Sequence, residues 1–102
     1  MDWLKDLFLS VPCPPEKRPE AENLLAELIR IGQSDDFLSL YPGQGFNSEK
    51  RNLRAIQIGR RLNDLGGMPL MEWARFKVKR KLKTQIAEHL DYAWDRIGSW
   101  RA

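Results

Sequence analysis

The spacing of apolar residues is helical along most of the chain. In EAENLLAELIRI, apolar side chains recur at intervals of three and four residues, which places them on one face of a helix. Pro19 suits the first position of this helix, and Gly32 is its expected end. The apolar face consists of Ala21, Leu24, Leu25, Leu28 and Ile31. The pattern therefore predicts an amphipathic helix with one buried face.

A second amphipathic stretch covers residues 48–65. Its main apolar face has helical spacing, while Leu53 and Ile56 lie on another side, an arrangement typical of a central helix. The main face consists of Ala55, Ile58, Leu62 and Leu65. Gly66 is expected to end this helix in the left-handed conformation, and Pro69 to begin the next one. The GGMP segment is therefore predicted to form a tight corner between two helices in contact.

The segment WARFKVKRKLK, residues 73–83, fits two kinds of secondary structure. As a strand it alternates basic and apolar side chains, and as a helix starting at Pro69 it turns one apolar face to the core. That face consists of Leu70, Met71, Ala74 and Val78, with Leu82 near its edge. The helix is preferred because the other candidate strand, FLSLY, is too short for a stable sheet. A break is expected near residues 81–84, where Thr84 can cap the next helix.

The last helix is predicted from another apolar stripe, which ends before Gly98. The stripe consists of Leu82, Ile86, Leu90, Ala93 and Ile97. Trp100 then follows and is expected to pack back onto the core.

The remaining segments are shorter. Residues 1–9 have the pattern of a short amphipathic helix, the prolines of VPCPPEKRP indicate a linker, and YPGQGFN indicates a loop. Ser34 can cap a turn of helix in DDFLSLY. Together these elements predict an all-α fold, a compact bundle of five or six short helices. Residues 1–102 are expected to form a single domain, in which residues 1–18 supply the N-terminal helix and a Pro-rich linker that wraps the core.

Composition narrows the class of protein. The chain has 102 residues, of which 42% are hydrophobic, so it is too apolar to be disordered and long enough for one core. A single cysteine, Cys13, excludes an internal disulfide and predicts a cytoplasmic protein. No stretch has the length and apolar character of a membrane span, so no membrane partner is expected.

The two halves of the chain carry opposite charge. Residues 1–50 contain five Lys and Arg against nine Asp and Glu, whereas residues 51–102 contain twelve against five. Such asymmetry indicates either a basic surface for polyanions or two halves that pack together and neutralise each other.

Basic and aromatic residues of the segment 73–83 are the candidate binding site. On the predicted helix, Trp73, Phe76, Lys77 and Arg80 lie on a side turned away from the main apolar face. Exposed rings beside cations suit a sugar-phosphate backbone with a stacked base. Alternatively, the two rings fill a second packing seam and the basic side chains cover its rim. The full candidate set is Trp73, Arg75, Phe76, Lys77, Lys79, Arg80, Lys81 and Lys83.

Other chemically capable residues carry no catalytic pattern. Glu88, Asp91 and Asp95 share one helical face, which is expected to be solvated, or to neutralise the neighbouring basic helix within the chain or across a dimer, rather than to bind a metal. His89 is expected to pack with its ring nitrogens hydrogen-bonded. No hydrolase triad, zinc-binding motif, phosphate-binding loop or dinucleotide fingerprint is present, so neither a catalytic residue nor a cofactor is predicted.

The sequence therefore favours a small interaction module without enzymatic activity, which binds another protein or a second copy of itself. The alternative is a non-specific nucleic-acid-binding protein that uses residues 75–83, extended by four arginines of the preceding helix. These are Arg51, Arg54, Arg60 and Arg61. A third reading is a small enzyme with Asp and Glu grouped around His89.

Overall fold

Three α-helices make up most of the backbone that the structure, a computed structural model, describes, namely residues 11–38 and 46–100. A 3-10 turn, Pro15–Lys17, leads into α1, Arg18–Gln33. The second helix, α2, is Phe46–Lys81, and the third, α3, is Thr84–Ala93. The predicted all-α class is confirmed, whereas the predicted five or six helices are wrong. The helix predicted in residues 1–9 lies outside the described residues.

The break predicted at GGMP is present as a kink, which separates the helical segments 46–66 and 68–81 within α2. Gly67 has φ 71° and ψ −162°, and the backbone is helical before and after it. A straight helix of 36 residues would be about 54 Å long. This exceeds the 46 Å length of the whole molecule. The left-handed residue is Gly67, not Gly66 as predicted. We call residues 46–66 the first arm of α2 and residues 68–81 its second arm.

The chain leaves α1 differently from the prediction. Gly32 lies inside α1, which ends at Gln33, and the left-handed residue beyond it is Asp35 with φ 54°. Residues 34–38 form a turn and a bend, so the predicted turn of helix is absent there. The side-chain amide of Asn52 donates a hydrogen bond to the carbonyl oxygen of Phe37, whose ring is fully buried. A contact with α2 thus replaces the helical hydrogen bonding expected for this segment.

The predicted break before Thr84 is confirmed, since α2 ends at Lys81 and α3 begins at Thr84. Thr84 is the first helical residue, so its predicted role as the cap is wrong; Lys83 occupies the N-cap position with an extended backbone and makes no side-chain capping hydrogen bond. The helix ends at Ala93 rather than at Ile97, and the chain continues through turns as far as Trp100.

The core contains the apolar faces predicted for α1 and for both arms of α2. At its centre, the Trp94 indole is fully buried, and its Nε1 donates a hydrogen bond to the carbonyl oxygen of Ala55 at 2.9 Å. Gly59 makes this packing possible, because a Cβ atom there would overlap the indole. Trp100 packs edge-on against Trp94 with a centroid distance of 5.1 Å, which confirms that it folds back onto the core.

Candidate interaction surface

The first arm of α2 is joined to α1 by two bidentate ion pairs. Nε of Arg54 donates to Oε2 of Glu27 at 2.6 Å, and Nε of Arg61 donates to Oε2 of Glu20 at 2.5 Å. The two glutamates are seven positions apart, and so are the two arginines, so the pairs repeat every two turns. The earlier glutamate pairs with the later arginine, and the two helices therefore run antiparallel. These hydrogen bonds hold the pKa of each glutamate below its ordinary value and raise the pKa of each arginine.

A third ion pair lies at the end of α1. Nη1 of Arg51 is 2.7 Å from Oδ2 of Asp36, whose carboxylate is buried. Three arginines of the first arm therefore face carboxylates from the N-terminal half of the chain. Of the two readings of the charge asymmetry, internal neutralisation describes this part of the molecule.

One cation of the predicted binding segment is also paired. Nε and Nη2 of Arg75 donate to the two carboxylate oxygens of Asp91 at 2.8 and 2.9 Å. Both side chains are largely covered, with exposed fractions of 29% and 21%. The hydrogen bond from Arg75 to Asp91 raises the pKa of Arg75. The predicted acidic face of the last helix thus neutralises the basic helix at this point, and no metal-binding group of three His, Cys, Asp or Glu side chains is found within the described ranges.

The two aromatic residues of the segment have different surroundings. Trp73 is 9% exposed and belongs to the core, so for this ring the alternative of a second packing seam describes the structure. It flanks the apolar face of the second arm, and a side chain as large as an indole can reach the core from there. Phe76 is 44% exposed, as expected for a residue on the outer side of that helix.

Phe76 lies in a groove between α1 and the second arm. The groove has a volume of about 300 Å³. Leu25 and Ile29 of α1 line it together with Phe76, Lys77, Arg80 and Lys81 of α2, and we call it the α1–α2 groove. The guanidinium carbon of Arg80 is 5.7 Å from the centre of the Phe76 ring, a cation–π distance. The groove thus combines an apolar floor with a basic rim.

The eight predicted site residues therefore separate into three groups. Phe76, Lys77, Arg80 and Lys81 line the α1–α2 groove. Trp73 and Arg75 are engaged in the core and in an ion pair. Lys79 and Lys83 are exposed and do not line the groove.

Sequence reasoning missed the contribution of Leu25 and Ile29. Leu25 was assigned to the buried face of its helix, but both residues are only partly buried. The available signal was their spacing of four residues at the edge of the α1 apolar face.

Residues considered for other chemistry have ordinary structural roles. Nδ1 of His89 is hydrogen-bonded to Oδ1 of Asp35 at 2.6 Å, in agreement with the prediction for its ring. Burial raises the pKa of the Cys13 thiol, which disfavours the reactive thiolate.

A larger depression, of about 550 Å³, lies between the first arm and α3. Its charged lining includes both signs, with Arg60 and Arg96 beside Asp95. The α1–α2 groove differs from it because every charged residue that the structure describes in its lining is a cation.

The chain matches no known protein family, no curated protein and no solved structure. Among the described residues, none of the helices has the length and apolar character needed to cross a membrane. Function is therefore inferred from the contacts, exposure and charge of the described side chains.

Proposed function

We propose that this protein is a non-enzymatic interaction module that binds another protein through the α1–α2 groove. The observation that supports this most strongly is the 44% exposure of Phe76 beside Leu25 and Ile29 in an open groove. Aromatic and arginine side chains grouped at a concave surface are typical of the energetic centres of protein interfaces. We place this activity in the cytoplasm, where a single unpaired cysteine is usual.

Groove dimensions favour a peptide segment as the bound group. A volume near 300 Å³ is at the lower end of the range for small-molecule sites, and the groove is open to solvent along its length. Full burial of one large apolar side chain contributes about 1.5–3 kcal/mol, and since 44% of Phe76 remains to be covered, a partner gains about 1 kcal/mol there. Burial of Phe76 therefore provides part of the binding energy.

A partner of different sequence is favoured over a second copy of the chain. In a twofold-symmetric dimer the same patch meets itself, so the rim cations Lys77, Arg80 and Lys81 would face like charges. Juxtaposed like charges cost several kcal/mol at an interface.

Non-specific nucleic-acid binding is the second candidate. It is supported by the basic residues of the second arm and its end, for which no ion pair is found in the described part of the chain. These are Lys77, Lys79, Arg80, Lys81 and Lys83. It is weakened because Trp73 is buried, Arg75 is paired with Asp91, and the ring of Phe76 is already in contact with Arg80. Base stacking on these rings would require rearrangement.

The proposed function can be tested by peptide-display selection against the full-length protein. We expect peptides to be enriched on the wild type and on the control variant Leu53→Asp, and lost on Phe76→Asp. Leu53 is a suitable control because it is 59% exposed and does not line the groove. Circular dichroism would establish that both variants are folded. Failure to enrich any peptide, or equal enrichment on Phe76→Asp, would contradict the proposed function.

A further inference from the structure

We infer that the α1–α2 groove binds an acidic amphipathic helix of its protein partner, an inference that rests on the proposed function. Among the described residues, the charged members of the groove lining are Lys77, Arg80 and Lys81. None of them takes part in an ion pair within residues 11–38 and 46–100. The rim therefore has a net positive field that the chain's described carboxylates do not neutralise, and glutamate or aspartate side chains complement it.

The apolar floor of the groove provides the second contact, with the apolar face of the ligand helix. Leu25 and Ile29 lie one helical turn apart on α1, and Phe76 and Arg80 lie one turn apart on the second arm. Two adjacent helices with such rows leave a groove into which the side-chain ridge of a third helix packs. Apolar anchors one turn apart, at positions i and i+4 of a ligand helix, match this arrangement.

The length of the groove limits the ligand. From residue 76 to residue 81 the second arm rises about 7.5 Å, and from residue 25 to residue 29 α1 rises about 6 Å. The direct contact therefore covers about one and a half turns of the bound helix. The three cations all lie on the second arm, so carboxylates on the side of the ligand helix that is turned toward α2 reach Lys77, Arg80 and Lys81.

The contact between Arg80 and Phe76 favours an acidic helix over a single-stranded nucleic acid. The guanidinium is 5.7 Å from the ring centre and lies over the ring. A base would have to displace it to stack, whereas a carboxylate can bind the guanidinium while an aliphatic anchor contacts the ring edge. The aliphatic floor of Leu25 and Ile29 provides no further stacking surface.

The test uses the full-length protein and fluorescence anisotropy with designed peptides. The probe is a labelled amphipathic peptide of about 14 residues with leucine anchors flanked by glutamates. Matched probes carry glutamine or lysine in place of every glutamate, and an oligonucleotide of the same net charge serves as the nucleic-acid probe. We expect the glutamate peptide to bind at least about tenfold more tightly than the glutamine peptide. Its affinity should fall as salt is raised.

Charge-reversal variants locate the interaction. Arg80→Glu/Lys81→Glu should weaken binding of the glutamate peptide by at least about tenfold and strengthen binding of the lysine peptide. The gain for the lysine peptide excludes loss of folding as the cause. Lys79→Glu/Lys83→Glu is the matched control, with the same change in net charge outside the groove lining. We expect this control to change affinity by less than about threefold.

Different failures have different meanings. If the glutamine peptide binds as tightly as the glutamate peptide, the acidic ligand is wrong and the proposed groove function stands. If no peptide binds and the display selection also fails, the inference of an acidic helix and the proposed function are both wrong.

If Lys79→Glu/Lys83→Glu weakens binding as much as the groove variant, or the oligonucleotide binds as tightly as the peptide, the protein binds polyanions through a diffuse basic surface and not through the groove. If Leu4→Ser/Phe8→Ser tightens peptide binding about tenfold, the chain's own residues 1–10 are the occupant, and the inference of an external partner is overturned.

Discussion

The two arms of α2 are both rich in basic residues, but these residues have different partners. On the first arm, Arg51, Arg54 and Arg61 are each paired with a carboxylate from the N-terminal half of the chain. On the second arm, Arg75 is the only basic residue with an ion pair among the described side chains. A basic run therefore becomes a candidate binding surface only where no acidic helix face packs against it.

The cause of this difference lies in α1. Its carboxylates Glu20 and Glu27 face the first arm, whereas the side that meets the second arm carries Leu25 and Ile29. One helix thus neutralises Arg54 and Arg61 of the first arm and leaves an apolar groove beside the cations of the second. The comparison leads to predictions that separate structural residues from binding residues.

The largest expected effect is the loss of Trp94, which anchors the first arm in the core. Trp94→Ala removes a fully buried indole and its hydrogen bond to Ala55, so the free energy of unfolding should fall by about 3–5 kcal/mol. Phe76→Ala on the second arm should cost less than about 1 kcal/mol, because the ring is already 44% exposed. Urea unfolding measures both. Similar losses for the two variants would refute the assignment of Phe76 to a binding surface rather than to the core.

A smaller loss is expected when the one ion pair of the second arm is broken. Arg75→Met leaves the largely covered carboxylate of Asp91 without its two hydrogen bonds, which should cost about 1–3 kcal/mol. Adding Asp91→Leu should recover part of the loss, because the uncompensated charge is then removed. Strictly additive losses in the double variant would argue against coupling between the two residues.

The ion pairs of the first arm predict how stability depends on pH. Hydrogen bonds from Arg61 and Arg54 hold the pKa values of Glu20 and Glu27 below their ordinary value of 4.5. Since the folded-state pKa is lower than the unfolded one, this stabilisation is complete above the unfolded pKa and is lost as pH falls through the folded pKa.

The variant Glu20→Gln/Glu27→Gln should therefore lose less stability than the wild type between about pH 5 and pH 3. Thermal unfolding at stepped pH values would measure the difference. Glu22→Gln is the control, since Glu22 is an exposed carboxylate of α1 outside these ion pairs, and it should follow the wild-type curve. Identical slopes for the double variant and the wild type would mean that the pairs do not stabilise the folded state.

The smallest effect is expected for the exposed lysines beyond the groove. Lys79→Gln and Lys83→Gln should each change the free energy of unfolding by no more than about 0.5 kcal/mol, because neither side chain is buried or paired with a described carboxylate. A larger loss in chemical denaturation would show that the second arm, like the first, depends on its cations for stability.

Apolar periodicity predicted the helical class and most of the core. Helical spacing alone identifies the faces of α1 and of both arms, since burial follows the 3.6-residue period. It also predicted the break at GGMP, but it could not determine which glycine adopts the positive φ, because either of two adjacent glycines can do so. Similarly, residues 34–38 have a plausible cap and acidic first turn, but tertiary contacts of Phe37 prevail over local propensity.

The candidate site was only partly predictable. The segment 73–83 was identified from its basic and aromatic residues. Whether Trp73 is buried and Arg75 is paired, however, depends on which helices pack beside them. Pairing of Arg54 and Arg61 with α1 follows from matched seven-residue spacings, a signal that becomes informative only when the two helices are known to be antiparallel neighbours.

The most direct test of the account is an NMR titration of the ¹⁵N-labelled protein with the glutamate peptide. The account predicts that amide shifts change at residues 25–29 and 76–81 and that those at residues 51–61 stay in place. Changes spread equally over both arms of α2, or confined to the first arm, would contradict the claim that packing against α1 leaves only the second arm ready to bind a partner.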